Sequence, residues 1–100
     1  MTPPSDNIQF FESKDFIKAT RPAPALRLQV LEYLKSWPSK GLEFAKGVRE
    51  VSPEFNGTKF TVIYKRRGNT IGIMHIYQLP IQAAQLEATK KDIITVHGKI

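Results

Sequence analysis

A chain of 100 residues that is 41% hydrophobic and 10% aromatic can build one core but is short for two, so we expect one domain over residues 1–100. It has no Cys and only two His, far apart in sequence, which excludes a disulfide framework and predicts no metal and no other cofactor. Fifteen Lys and Arg against nine Asp and Glu give a formal net charge of +6, which predicts a negatively charged partner. No stretch is long and apolar enough for a membrane span or a signal peptide, so we expect a cytoplasmic protein without membrane contacts.

The first predicted elements are a short strand and a short helix. Residues 1–7 are polar with two prolines and are expected to be frayed, whereas residues 8–11 are apolar and favour a strand. Ser13 is the predicted N-cap of a helix over residues 14–19, with an acidic residue in its first turn.

A longer helix is predicted next, over residues 24–37. Thr20 is its expected cap, and Pro38 disfavours helical geometry at the residue before it. Apolar side chains recur at helical spacing and should pack in the core without a functional role: Leu26, Val30, Tyr33, Leu34 and Trp37.

A central β-hairpin is the clearest prediction. Residues 59–65 and 70–77 are β-branched and aromatic, and Gly68-Asn69 between them suits a two-residue turn. The turn predicts Arg67 opposite Thr70 and, by continued pairing, Phe60 opposite Tyr77. Strict alternation puts on one face Phe60, Val62, Tyr64, Arg66, Ile71, Ile73, His75 and Tyr77, and on the other Thr61, Ile63, Lys65, Arg67, Thr70, Met74 and Ile76. Both faces are apolar at the middle, so we expect layers on both sides.

The remaining segments complete an α+β prediction. A weak strand is expected before the Asn56-Gly57 turn, and a short C-terminal helix over residues 80–93, while residues 94–100 fit either an edge strand or a loose tail. The predicted fold is a small antiparallel sheet with a central hairpin, packed against N-terminal helices and closed by the C-terminal helix.

The candidate site residues are cations around the hairpin and two side chains on it. The chain lacks a phosphate-binding glycine loop, a metal-binding helix motif, a nucleophile elbow and a Cys nucleophile. Metal-independent RNA cleavage needs cations for the charge on phosphorus and groups that move protons. We predict His75 and Tyr77 as catalytic residues. The predicted nucleic-acid-binding residues are Lys46, Arg49, Lys59, Lys65, Arg66 and Arg67. A solvated turn and a hydrogen-bonded core histidine are the simpler interpretations of the same residues.

The order of elements carries a family resemblance. Val48-Arg49-Glu50-Val51, Phe60-Thr61-Val62-Ile63-Tyr64, a strand ending in His75 and a helix after Pro80 follow one another in this chain. This order resembles the RelE/ParE/HigB toxin superfamily, and its HigB-like, phage-related branch in particular. The resemblance implies a curved sheet on N-terminal helices and mRNA cleavage, often on the ribosome, by attack of a ribose 2′-hydroxyl on its own phosphate. It also implies neutralisation by an antitoxin, whereas the ParE branch acts on DNA gyrase.

Two departures from the family pattern remove positive charge. Thr61 stands where the pattern has Arg, and residues 78–80 replace basic residues after the last strand. The leading hypothesis is therefore a toxin-like endoribonuclease or a degenerate relative that binds RNA. The alternative is a non-catalytic basic module, such as a phage or plasmid inhibitor or an immunity protein, that docks on an acidic protein; a general nucleic-acid binder is third.

In the predicted register His75 and Tyr77 face away from Lys65 and Arg67, and only a bulge would bring them to one groove.

Overall fold

The structure is a computed structural model that describes residues 7–100, so the expected fraying of residues 1–6 lies outside the described part. The described residues form a mixed sheet and three helices, which confirms the predicted α+β class. In chain order these elements are β1 (Gln9–Glu12), α1 (Lys14–Thr20), α2 (Pro24–Ser36), β2 (Leu42–Ala45), β3 (Val48–Val51), β4 (Glu54–Phe55), β5 (Thr58–Arg67), β6 (Thr70–Leu79) and α3 (Ala83–His97). Within this part of the chain, no helix has the length and apolar character needed to cross a membrane.

The predicted hairpin, β5 with β6, lies at the centre of the sheet. The strand order is β1-β6-β5-β3-β2, and the two-residue β4 pairs with the start of β5. One pairing differs from the antiparallel prediction, because β1 runs parallel to β6. Strands that are joined by a long connection are free to pair in parallel, and here α1, α2 and four strands separate the two.

Helices cover both faces of the sheet, as predicted. The α1/α2 face is the side on which β-strand residues pack against α1 and α2, in a core of Phe16, Val30, Leu34, Val51, Val62, Tyr64, Ile71, Ile73 and Ile76. The α3 face is the opposite side, where α3 packs through Leu86 and Ile93 on Ala45, Val48 and Ile63. An ion pair of 2.6 Å between Lys90 and Glu50 also holds α3 on β3.

Three details of the helices correct the sequence prediction. Thr20 does not cap α2: it ends α1, and its hydroxyl donates to the Phe16 carbonyl at 2.8 Å, while Ala23 is the N-cap residue of α2. Trp37 is 55% exposed rather than buried, because the helix ends at Ser36 and the backbone of Trp37 has left helical geometry. At the C-terminus α3 continues to His97, so residues 94–97 are helical rather than an edge strand or a loose tail.

A β-bulge interrupts the hairpin at Met74. The predicted pairs hold from Arg67–Thr70 to Tyr64–Ile73, but the next pair is Ile63 with His75, so one extra residue stands in β6. Beyond the bulge the faces exchange: Ile76 joins the α1/α2 core, and the predicted side for His75 and Tyr77 is wrong.

Ser13 stabilises this bulge. Its hydroxyl donates to the Met74 carbonyl at 2.5 Å, and its backbone N–H donates to the Ile73 carbonyl at 2.9 Å. The same hydroxyl accepts a hydrogen bond from the Phe16 N–H at 3.0 Å, which confirms Ser13 as the N-cap of α1. A single side chain therefore joins the start of α1 to the irregular part of β6.

Tyr64 makes the stability of the fold sensitive to alkaline pH. Its side chain is fully buried, and its hydroxyl accepts a hydrogen bond of 3.2 Å from the Gly41 N–H. Burial raises the pKa of Tyr64 above its ordinary value, and the Gly41 hydrogen bond and the charge of Arg49 offset part of this rise.

We therefore expect Tyr64 to reduce stability only above pH about 10, the pKa of an unfolded tyrosine. Above that pH the unfolded state loses the phenol proton while the folded state keeps it, so the free energy of unfolding falls by up to about 1.4 kcal/mol per pH unit. Below that pH both the folded and the unfolded state keep the phenol proton, so the stabilising contribution of Tyr64 to the free energy of unfolding is fully present. Urea titrations between pH 8 and 11 should show a shallower loss for Tyr64→Phe than for the parent. Equal slopes for Tyr64→Phe and the parent would contradict this role.

Candidate functional site

A polar groove of about 680 Å³ lies between α1, β6 and α3. Both α1 and α3 contact β6, and the groove lies along that strand between the two helices. The side chains that line the groove come from all three elements: Asp15, Lys18 and Ala19 from α1, His75, Ile76 and Tyr77 from β6, and Gln82, Gln85 and Thr89 from α3 and its N-cap. Both predicted catalytic residues are among them.

His75 and Tyr77 are stacked in this groove. They are alternate residues of one strand beyond the bulge, and their rings lie 5.9 Å apart with an interplanar angle of 17°. The Nδ1 atom of His75 lies 3.6 Å from Oδ2 of Asp15, which belongs to the first turn of α1. An Nδ1–H directed at Asp15 leaves Nε2 as the basic nitrogen of the ring. An imidazole beside a carboxylate is a combination of groups that general base catalysis uses.

The hydroxyl of Tyr77 is held by α3. It shares a hydrogen bond of 2.6 Å with the Thr89 hydroxyl, and either oxygen can supply the proton. The Tyr77 oxygen is therefore positioned at the wall of the groove and can take part in proton transfer with Thr89 as its partner.

Two of the predicted cations lie together on the face of the stacked pair, toward the hairpin turn. Lys65 pairs with Gly72 and Arg67 pairs with Thr70, and residues that pair directly across strands point to the same side of the sheet. This side is the α3 face, because Ile63, two residues before Lys65, packs in the α3 core. The bulge therefore brings His75 and Tyr77 to the face that carries Lys65 and Arg67.

The other four predicted cations lie elsewhere. Arg49 and Arg66 are on the α1/α2 face, where Arg49 donates to the Gly41 carbonyl at 2.7 Å and Arg66 donates to the Ser39 hydroxyl. Lys46 is in the turn between β2 and β3, beside the end of α3. Lys59 pairs with Leu79 and so also points to the α3 face, but it lies at the end of the hairpin opposite to its turn. The structure thus divides the predicted cluster, and two of its arginines bind the segment before β2, Arg49 through a backbone carbonyl and Arg66 through a side-chain hydroxyl.

Two further residues named in the sequence analysis do not line the groove, although Thr61 pairs with Tyr77 in the hairpin. Tyr64 is buried on the opposite face. Thr61, where the family pattern has Arg, is only 1% exposed and shares a hydrogen bond of 3.0 Å with the Ser52 hydroxyl. An arginine at this position would meet packed protein rather than a phosphate, so the substitution Thr61→Arg is expected to disrupt the fold instead of adding a binding group.

Sequence reasoning missed the groove residues outside the hairpin. Asp15 was interpreted only as a favourable charge at a helix start, and Lys18 and Thr89 carried no signal of their own. All three are helical residues that face β6. Whether a helical residue faces β6 depends on how α1 and α3 pack on the sheet, which the sequence alone does not show. Within residues 7–100, no group of three or more His, Asp and Glu side chains is arranged to hold a metal ion.

A second, apolar groove of about 400 Å³ lies on the outer side of α2. Leu28, Tyr33, Trp37 and Phe55 line it together with polar residues of the helix. Leu28 is 56% exposed, and the Lys40 ammonium lies 5.2 Å from the centre of the Trp37 ring. This surface is on the far side of the sheet from His75.

The chain has no match among protein-family models or among curated proteins. The function is therefore argued from the groove itself.

Proposed function

We propose that this chain binds single-stranded RNA on its α3 face and cleaves it in the groove, as a toxin-type endoribonuclease of the kind that the RelE/HigB resemblance implies. The observation that carries the proposal is the bulge at Met74, which turns His75 and Tyr77 to the side of Lys65 and Arg67. A ribonuclease that works without a metal needs this combination of proton-transfer groups and cations.

The proposed reaction uses the 2′-hydroxyl of the substrate as nucleophile. His75 Nε2 takes the 2′-hydroxyl proton while the 2′ oxygen bonds to the adjacent phosphorus. The bond from phosphorus to the 5′ oxygen breaks, and that oxygen takes the proton of the Tyr77 hydroxyl. The products are a 2′,3′-cyclic phosphate and a 5′-hydroxyl end. Release of a proton by His75 and uptake of one by Tyr77 restore the enzyme.

The charged side chains have separate roles in this proposal. Lys18 lines the groove and is the cation nearest to a phosphate bound there. Lys65 and Arg67, at the hairpin end of the same face, bind flanking phosphates. Asp15 orients the imidazole and stabilises it once it carries the transferred proton.

The salt dependence of RNA binding tests the cation assignment. The double variant Lys65→Glu/Arg67→Glu should bind a single-stranded RNA at least about 10-fold more weakly, and the slope of log K against log salt should fall by about 1 to 2, because two phosphate contacts are lost. Fluorescence anisotropy across a salt series measures both quantities.

A matched control separates this local effect from net charge. Lys35→Glu/Lys91→Glu changes the net charge equally at two exposed lysines on the outer sides of α2 and α3. It should retain most of the parent slope. Equal losses in the two double variants would show that only overall charge matters, and an unchanged slope in Lys65→Glu/Arg67→Glu would refute the proposed interface.

A second candidate function is a non-catalytic module that binds an acidic protein. The apolar groove on α2 favours it, because exposed Trp37 and Leu28 beside Lys40 suit an acidic partner with apolar anchors. The two functions differ in an observable product: only the ribonuclease yields RNA fragments with cyclic phosphate ends.

A further inference from the structure

A row of three residues crosses the α3 face near the hairpin turn. Phe11 of β1 pairs with Gly72 of β6, and Gly72 pairs with Lys65 of β5. All three therefore point to the same side of the sheet. Phe11 lies on the edge strand β1 and is 64% exposed, which leaves a large apolar ring accessible to a ligand.

Gly72 leaves an open notch between the aromatic ring and the lysine. A Cβ built at Gly72 would have no atom of the described residues within 4 Å, and the backbone there does not need the left-handed region. Glycine in the interior of a strand weakens it, and it often marks a place where a ligand approaches the backbone closely. Neither packing nor backbone geometry explains this glycine.

The position of Phe11 is fixed by its neighbour. Glu12 points to the opposite face, where its carboxylate accepts two hydrogen bonds of 2.6 Å from Arg27 of α2. The parallel pairing with β6 holds the strand from the other side. The ring is thus presented on an ordered strand, which lowers the entropy cost of binding a flat ligand.

We propose that Phe11 is a base-stacking residue, on which one base of a single-stranded RNA lies over the Gly72 notch while Lys65 binds its phosphate. This rests on the proposed function and specifies the substrate as unpaired RNA, because a base inside a duplex has both faces occupied by its neighbours. Stacking tolerates all four bases, so the site selects strand state rather than sequence.

The stacked nucleotide is not the one that is cleaved. Gly72 lies three residues from His75 along β6, about 10 Å at the rise of a strand. Phe11 therefore contributes to binding of the whole substrate and not to the transition state alone. Its removal should raise KM and leave kcat nearly unchanged.

Three variants test the stacking site. Phe11→Ala should weaken binding of a single-stranded oligonucleotide by about 5- to 100-fold, the usual range for one stacked base, and Phe11→Trp should retain it. Gly72→Val should also weaken binding while its thermal unfolding temperature is equal to or above that of the parent, because the side chain fills the notch and favours a strand. Leu42→Ala, which removes an exposed apolar side chain from β2, is the control and should bind as the parent does.

A spectroscopic signature distinguishes stacking from loss of structure. In the variant Phe11→Trp/Trp37→Phe the new tryptophan is the chain's sole Trp, and RNA should quench its fluorescence. Unquenched fluorescence, parent affinity in Phe11→Ala, or equal affinity for duplex RNA would each overturn this inference and leave the proposed ribonuclease standing. A parent protein that binds no RNA would overturn both. Dissociation of a dimer by Phe11→Ala would instead show that a second copy covers this ring.

Discussion

Replacement of His75 by Ala is expected to lower the rate of RNA cleavage at saturating RNA by about 100-fold or more, since general base catalysis contributes a factor of this order. The side chain lies at a groove wall and is not part of either core cluster, so the fold should persist. RNA affinity should stay within about 2-fold of the parent, because the phosphate contacts are assigned to other residues. Cleavage of a labelled oligonucleotide, with identification of the cyclic phosphate end, measures the effect.

His97 is the matched control for this variant. It is the other histidine of the chain and lies at the end of α3, where Nδ1 is near the Ile93 carbonyl. His97→Ala should therefore cleave RNA at the parent rate. In a bacterium, induced expression of the parent should arrest growth, and expression of His75→Ala should not. Parent cleavage by His75→Ala would refute the assignment, and the absence of cleavage by the parent would favour the binding-module alternative.

Replacement of Gly41 by Ala is expected to lower the free energy of unfolding by about 2 to 4 kcal/mol. An added Cβ would lie 2.5 Å from the Glu50 carbonyl oxygen and 3.1 Å from the Tyr64 hydroxyl. The backbone of Glu50 is part of β3 and cannot move without disturbing the sheet, so Gly41 must shift and lose its hydrogen bond to Tyr64. Denaturant titration at pH 7 measures the loss.

Gly72→Ala provides the control for a glycine in open space. Its added Cβ would have no contact within 4 Å among the described residues, so its stability should equal or exceed that of the parent. If Gly41→Ala is as stable as Gly72→Ala, then the segment before β2 is free to move. The hydrogen bonds that Arg49 and Arg66 make to it would then have no structural importance.

The sequence predicted those parts of the fold that local chemistry determines. Gly68-Asn69 has the geometry of a hairpin turn, and this determined the first four pairs of the ladder correctly. Ser13 was recognised as a cap because its side chain acts within its own helix. The parallel pairing of β1 depends on contacts between distant parts of the chain and left no local signal.

The bulge could not be predicted, because the residues beyond it are apolar or amphipathic and therefore fit either face of the sheet. Met74 and Ile76 suit a core on either side of the sheet, and alternation therefore gave no indication of an extra residue. Trp37 follows the helical spacing of the buried stripe. The helix before Pro38 ends at Ser36, however, so the side chain of Trp37 does not join that stripe. Residue type was accordingly enough to identify members of the site, whereas the tertiary structure determined which of them lie together.

The bond between Ser13 and the bulge has a consequence for the precision of the His75–Asp15 pair. One hydroxyl oxygen binds both the first turn of α1, which carries Asp15, and the Met74 peptide next to His75. Asp15 and His75, which are 60 positions apart in the chain, therefore share a common anchor only a few bonds from each of them. We therefore expect a shift of α1 against the sheet to change the separation of Asp15 and His75 less than it changes the width of the groove around them.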